Sequence, residues 1–185
     1  MPTNFHQHLS ENLPNLTGKK LLLAVSGGID SMVLLDLFLE RHFELSIAHC
    51  NFQLRGNESD DDQDFIQDFA SKANVPFFTI RFDTAKFAVD FKMSTQMAAR
   101  ELRYQWFVEL AEKEGFDYIL TAHHADDNLE TFLINLSRGT GIDGLTGIPK
   151  QNGKIIRPLL DFSRSEIETY AHENKIQWRE DSSNA

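Results

Sequence analysis

The run Leu21-Leu22-Leu23-Ala24-Val25-Ser26-Gly27-Gly28-Ile29-Asp30-Ser31 begins as a short apolar strand and ends as the first turn of a helix. Between the two lies a Gly-Gly turn. Glycine carries no Cβ, so the backbone there can approach a ligand closely. A helix start offers free N–H groups and about half a positive charge. Ser26 and Ser31 add hydroxyl donors, and the whole reads as a cradle for a pyrophosphate group. The bland alternative is a strand–helix turn with serine capping. A full Ser-Gly-Gly-x-Asp-Ser string directly after an apolar strand favours the cradle. It is not a Walker A loop: no Gly-x-x-x-x-Gly-Lys-Ser/Thr occurs, and Gly18-Lys19-Lys20 precedes the strand.

Outward from this run, short apolar stretches alternate with helical patterns, the mark of a parallel α/β sheet with helices on both faces. Leu21–Val25, Leu45–Ala48, Phe77–Arg81 and Tyr118–Ala122 read as strands, with Ile155–Arg157 a weaker fifth closed by Pro158. Helices are predicted over Asp30–Glu40, Asp60–Lys72, Thr95–Glu114, Asp126–Leu136 and Arg164–Asn174. Phe5, Leu9 and Leu13 form a short docking helix ended before Pro14. Asp30–Glu40 is apolar on nearly every side and reads as buried, with Asp36 at its solvent edge. Phe65, Phe69 and Ala73 make one stripe, and Leu129, Phe132, Leu133 and Leu136 another. Ser59 reads as a cap for the acidic run Asp60-Asp61-Asp62.

The chain has 185 residues, a formal charge of −10 and one cysteine, Cys50. The length suits one domain with its own core, and no repeat or linker breaks it. A single Cys excludes an intrachain disulfide and a Cys-rich metal or iron–sulfur site. No apolar run spans a membrane and no signal peptide is visible, so a cytoplasmic location is expected. The acidic balance argues against sequence-independent nucleic-acid binding, though a nucleic-acid substrate met by a local basic surface stays open.

Three further strings carry chemistry. His49-Cys50-Asn51-Phe52-Gln53-Leu54-Arg55-Gly56 follows the second strand. Ala99-Arg100-Glu101-Leu102-Arg103-Tyr104 lies on the long helix, where Arg100 and Arg103 share a face and suit phosphate or carboxylate. A solvated helix face is the alternative. Thr121-Ala122-His123-His124-Ala125-Asp126-Asp127-Asn128-Leu129-Glu130-Thr131 follows a strand and opens a helix. At about 100° per residue, Asp126, Asp127 and Glu130 fall on one arc at a strand's carboxyl end, where open α/β sheets bind ligands. Acids complementing a helix start would explain the first two but not Glu130. Zinc at His123 and His124 is weaker, because adjacent histidines rarely face one ion.

Ser26–Ser31 resembles the PP-loop of the N-type ATP pyrophosphatases, which split ATP between the α and β phosphates. Together with the three strings, with Leu136–Leu145, with Arg157-Pro158-Leu159-Leu160 and with Trp178–Asn184, the chain is similar to the tRNA(Ile)-lysidine synthetase family. Phe52 and Gln53 depart from that family's pattern, which has His and Gly there. The resemblance implies a five-stranded sheet in the order 3-2-1-4-5, and it makes residues 1–185 a single catalytic domain. The family's C-terminal tRNA-binding domains are then absent from a chain that stops at Ala185.

It implies ligation of free lysine to C2 of the wobble cytidine of tRNA(Ile), through an adenylated intermediate, with ATP going to AMP and pyrophosphate. Ser26, Gly27, Gly28, Ile29, Asp30 and Ser31 would hold the nucleotide, bordered by Ala24, Ala48 and His49. Asp30 would meet Mg²⁺. Asp127 and Glu130 would bind the lysine ammonium and take its proton. Arg103 would stabilise phosphate charge, with His123 nearby. Oligomeric state is left open, a homodimer included. Two other readings stand: a sister PP-loop enzyme for thiolation or amide transfer, and a non-catalytic nucleotide-binding module. One cysteine argues against thiolation, the need for a glutaminase partner against amide transfer, and the carboxylate cluster against the passive module.

Overall fold

The computed structural model describes residues 2–40, 43–138 and 147–180. In chain order the elements are α1 (Pro2–Asn12), β1 (Lys20–Ala24), α2 (Ile29–Leu39), β2 (Glu44–Asn51), α3 (Asn57–Ala73), β3 (Phe77–Arg81), α4 (Thr84–Asp90), α5 (Thr95–Glu114), β4 (Tyr118–Leu120), α6 (Ala125–Ser137), β5 (Gln151–Asn152), β6 (Ile155–Ile156) and α7 (Arg164–Glu173). They form one six-stranded sheet ordered β3-β2-β1-β4-β6-β5. Every pairing is parallel except β5 with β6. The five predicted strands keep their expected order. The addition is β5, a two-residue edge strand closed on β6 through Gly153, too short and too polar to carry a period-2 signal.

Alternation along β1 sets the layers. Leu21 and Leu23 point into the larger core with α1, α2, α3 and α7. Leu22 points the other way, onto Phe107, Leu110 and Ala111 of α5. α2 is buried on nearly every side, as its composition demands. Asp36 is not a simple solvent-edge residue: it accepts the Tyr170 hydroxyl at 2.8 Å and so ties α2 to α7. Burial pushes its carboxyl above the usual range, against that hydrogen bond. α4 carries too few residues to show a helical period and was not predicted; it packs on α5.

Two amphipathic faces differ from expectation. On α3 the buried positions are Ser59, Asp62, Gln63, Ile66 and Ala70, while Phe65 and Phe69 are half-buried and Ala73 exposed. The helix starts earlier, at Asn57 after an N-cap Gly56, so Ser59 lies inside the first turn, where its Oγ accepts the Arg55 amide at 3.2 Å and is not the N-cap. On α6 no residue is buried, and Leu129, Leu133 and Leu136 of the apolar stripe are each more than half exposed. The partner layer assumed for that stripe is not among the described residues. The strings Gly139–Leu145 and Asp181–Asn184 also lie outside them.

Candidate active site

Strand order reverses between β1 and β4, and a crevice opens there at the carboxyl ends of the strands. A cavity of about 650 Å³ occupies it, bordered by Ser26 and Asp30 on one side and by Arg103, His123 and Asp127 on the other. Ala24, Ser31, Ala48 and His49 also line it. The topology thus brings together residues that the chain keeps about a hundred positions apart, and the volume suits a small-molecule ligand.

The loop is held by its own serine. Ser31 Oγ accepts from the Ser26 and Gly27 amides at 3.2 Å each and donates to the Gly28 carbonyl at 2.8 Å. It therefore organises the turn from inside. Ser26 Oγ, exposed and 3.2 Å from Ser31 Oγ, is the hydroxyl that faces outward. Gly27, Gly28 and Ile29 do not border the cavity. Ile29 is a core side chain, and Gly27 is buried at φ +92° with its missing Cβ aimed at Ile66 Cδ1, 3.5 Å away. Glycine at 27 thus answers a positive φ and the close approach of α3, rather than clearing a ligand's path. Gly28 has an ordinary φ of −72° and is the N-cap of α2.

Asp30 stands in the first turn of α2. Its Oδ2 takes Arg164 Nη1 from α7 at 2.7 Å, while Oδ1 is buried without a hydrogen-bond partner. Burial pushes its carboxyl up, opposed by Arg164 and His124. Among the described residues no three His, Cys, Asp or Glu side chains gather as a metal cage. Mg²⁺ in phosphate sites typically takes one or two carboxylates and completes its shell with phosphates and water. Asp30 Oδ1, without a hydrogen bond and 3.7 Å from His124 Nε2, is a single carboxylate oxygen compatible with that sparse pattern.

On the facing wall His124 is the N-cap of α6. Its Nδ1 accepts the Asp127 amide at 3.4 Å and Asp127 Oδ2 accepts the His124 amide at 2.9 Å, a reciprocal capping box. The cap fixes Asp127 against the cavity with its other oxygen to spare. Asp126 turns away and accepts the Arg164 amide at 2.8 Å. Glu130, one turn on, is exposed and does not border the cavity. The three-carboxylate cluster drawn from helical spacing is therefore not assembled: Asp127 faces the cavity, Asp126 meets the Arg164 amide, and Glu130 stands exposed outside.

Arg103 lies over the Phe52 ring at 5.2 Å, and Phe52 stacks on Phe82. Phe52 is thus a platform that sets the Arg103 fork against the cavity. Arg100 leans on Tyr104 at 5.1 Å and is exposed outside it. His49 puts Nδ1 2.9 Å from the Val25 carbonyl. A carbonyl only accepts, so the proton sits on Nδ1. Burial also lowers this ring's pKa.

Burial, aided by Arg157 and opposed by Asp127, brings His123 down from 6.5 to about 4. The ring is neutral at physiological pH. Between those two values the unfolded chain binds more protons here than the folded one, so stability is lost as pH falls from about 6.5 towards 4. His123→Gln is expected to flatten that acid limb, measured by urea unfolding across this range. An unchanged slope would show an ordinary imidazole. Cys50 has its thiol pushed up to about 12, mainly by burial, which makes it a poor nucleophile.

Sequence reasoning passed over Asp62, Arg55 and Arg179. Asp62 borders the cavity from α3 and pairs with Arg55 Nη2 at 2.7 Å and Arg179 Nε at 2.5 Å. It was hidden in an acidic run in which Asp61 and Asp64 are exposed and Asp60 is partly buried against Asn51 and Arg81. The signal available was the pair of arginines inside the family strings.

Fold and site define an ATP-handling class, and the chain belongs to the PP-loop domain family, whose model matches residues 1–185. It is 51% identical over 165 residues to the tRNA(Ile)-lysidine synthase of Porphyromonas gingivalis, covering 89% of this chain and 36% of that protein. It is 48% identical over 171 residues to the tRNA(Ile)-lysidine synthase of Chlorobaculum tepidum, covering 90% of this chain and 52% of that one. The chain thus spans about a third to a half of the length of these curated relatives. Among solved structures, the U34-tRNA thiolase NcsA from Methanococcus maripaludis with its 4Fe–4S cluster superposes with a TM-score of 0.78 at 19% identity, over 97% of this chain and 64% of that one. The NMN synthetase from Francisella tularensis gives 0.64 at 16% identity, over 95% and 71%. At such identities these two likenesses speak for the fold alone. No helix among the described residues is long and apolar enough to cross a membrane.

Proposed function

We propose that this chain is the ATP-handling catalytic domain of a tRNA(Ile)-lysidine synthetase. The observation that carries the reading is the PP-loop facing Arg103, His123 and Asp127 across one cavity. The named relatives at 48–51% identity supply the substrate class.

The chemical problem is a poor leaving group, the C2 oxygen of cytosine. That oxygen attacks the α-phosphorus of ATP and pyrophosphate departs. The lysine ε-amine then bonds to C2, and AMP leaves with the oxygen. The outward Ser26 hydroxyl and the amides at the start of α2 receive the phosphates. Mg²⁺, if bound, would neutralise phosphate charge, and the Asp30 carboxylate would be its protein ligand. Arg103, stacked on Phe52, supplies a fixed cation to the phosphorus under attack. Free lysine has a pKa of about 10.4, so its ammonium must lose a proton before it attacks. Asp127 is held by its reciprocal hydrogen bonds with His124 and borders the cavity, which suits its carboxylate to receive that ammonium. Glu130, exposed one turn beyond the cavity border, is the second acid proposed for the ammonium, and would have to reach inward to meet it. His123, neutral, can accept a proton but starts without one to give.

Pyrophosphate release from ATP, followed with and without lysine and a CAU-anticodon tRNA(Ile), tests the reading. Release that needs both is the expected result. Release driven by a sulfur donor or by ammonia instead of lysine would move the chain to a sister activity. ATP binding with no release under any condition would make it a passive module.

A further inference from the structure

The Arg179 amide donates to the Gly27 carbonyl at 2.9 Å, across nearly the whole length of the chain. In a trans peptide the C=O and the following N–H point to opposite sides. A donor seated on the outer side of the Gly27 carbonyl therefore turns the Gly28 N–H inward, to the side of the Ser26 hydroxyl. It meets that hydroxyl only at 3.4 Å, so it remains open to a better acceptor. Glycines on both sides leave this peptide little intrinsic resistance to flipping. A flip would aim a carbonyl oxygen at an incoming anion.

What holds Arg179 is α3. Its Nε donates to Asp62 Oδ1 at 2.5 Å, and its Nη2 lies 3.7 Å from Asp61. The Asp62 side chain is only 10% exposed, and its second oxygen takes Arg55. A buried carboxylate shared by two guanidiniums is costly to break, because an unpaired charge is left behind. The same helix presses Ile66 against Gly27. α3 thus backs the loop directly and also anchors the segment that grips its carbonyl.

We propose that Arg179 is a positioning residue for the ATP loop: anchored on Asp62, it locks the Gly27–Gly28 peptide with its N–H turned towards the phosphates. The proposal rests on the reading of Ser26–Ser31 as a pyrophosphate cradle. Inorganic pyrophosphate and adenosine separate loop from cavity, since only the first must engage the loop. In calorimetry Arg179→Ala is expected to bind pyrophosphate about tenfold more weakly, the loss of roughly one hydrogen-bonded orientation. Adenosine affinity stays unchanged. Hydrogen exchange at the residue-179 amide speeds up, Arg179→Lys recovers part of the loss, and Asp62→Asn reproduces it. If Arg179→Ala does not fold, the lysine and asparagine variants carry the comparison. Equal losses for pyrophosphate and adenosine with a lowered Tm would mean a merely structural strap and overturn the proposal. So would unchanged pyrophosphate affinity in a variant whose 179 amide exchanges freely. If the unaltered chain binds no pyrophosphate, the cradle reading falls and the proposal with it; if it binds and the variants bind equally, this proposal alone fails.

Discussion

Replacing Gly27 with valine is expected to destabilise the fold by about 3 kcal/mol, from a β-branched residue forced to positive φ and a side chain driven into α3. The position demands glycine by its φ of +92°; a Cβ there would already be in van der Waals contact with Ile66 at 3.5 Å, so the γ methyls of valine, not the Cβ, are what would crowd α3. Gly28→Ala makes the contrast. Its φ is ordinary and a Cβ there meets only Ser26 Oγ at 3.6 Å. Stability should move by no more than about 0.5 kcal/mol, because a small capping loss is offset by the stiffer unfolded chain. ATP affinity should nonetheless fall at least tenfold, the added methyl standing at the mouth of the α2 N-terminus. Chemical denaturation and calorimetry on the two proteins read both quantities. A Gly28→Ala protein that binds ATP like its parent would remove the anion cradle from this loop.

Asp127→Asn should lower the lysine-dependent rate by about 10²–10⁴-fold while leaving the fold intact. Asparagine keeps an oxygen to accept the His124 amide, so the cap of α6 survives. Only the charge is lost. ATP binding is expected to hold, and the loss should appear in the response to lysine, with norleucine inert and ornithine poor. Glu130→Gln should raise the lysine concentration for half-maximal rate with ATP affinity unchanged. Titrations in lysine and in Mg²⁺ separate the roles: if either variant shifts the Mg²⁺ requirement and not the lysine response, that acid belongs to the metal. An unaltered lysine response in Glu130→Gln would take the rim residue out of the site.

Much of the architecture was legible because it follows from period and punctuation. The leucines of β1, the Gly-Gly turn and the apolar α2 announce a central parallel strand feeding a helix. β2, β3 and β4 repeat the pattern. The site's two walls were legible as motifs that must meet at the reversal of strand order. Three things were not. The rotation of α3 depends on Asp62 and Gln63 facing inward, and a hydropathy stripe places such residues in solvent. The roles of Ser31 and Gly27 inside the loop depend on which way amides turn, which residue type alone does not fix. The scattering of Asp126, Asp127 and Glu130 depends on Arg164 and His124 as neighbours, one of them remote in the chain.

β1 is the centre of the sheet, yet its two edges are completed at very different times. β2 follows within a few dozen residues, whereas the opposite edge waits for Tyr118–Leu120 to pair with Leu21–Leu23. A ribosome adds about 5–20 residues per second, so the hundred or so residues between these partners take roughly 5–20 s to make. All through that interval three leucines that end at 0% exposure stand on an open strand edge. Such an edge is a template for pairing with other chains. Soluble recovery of this protein is therefore expected to fall as newly made chains become more crowded during those seconds.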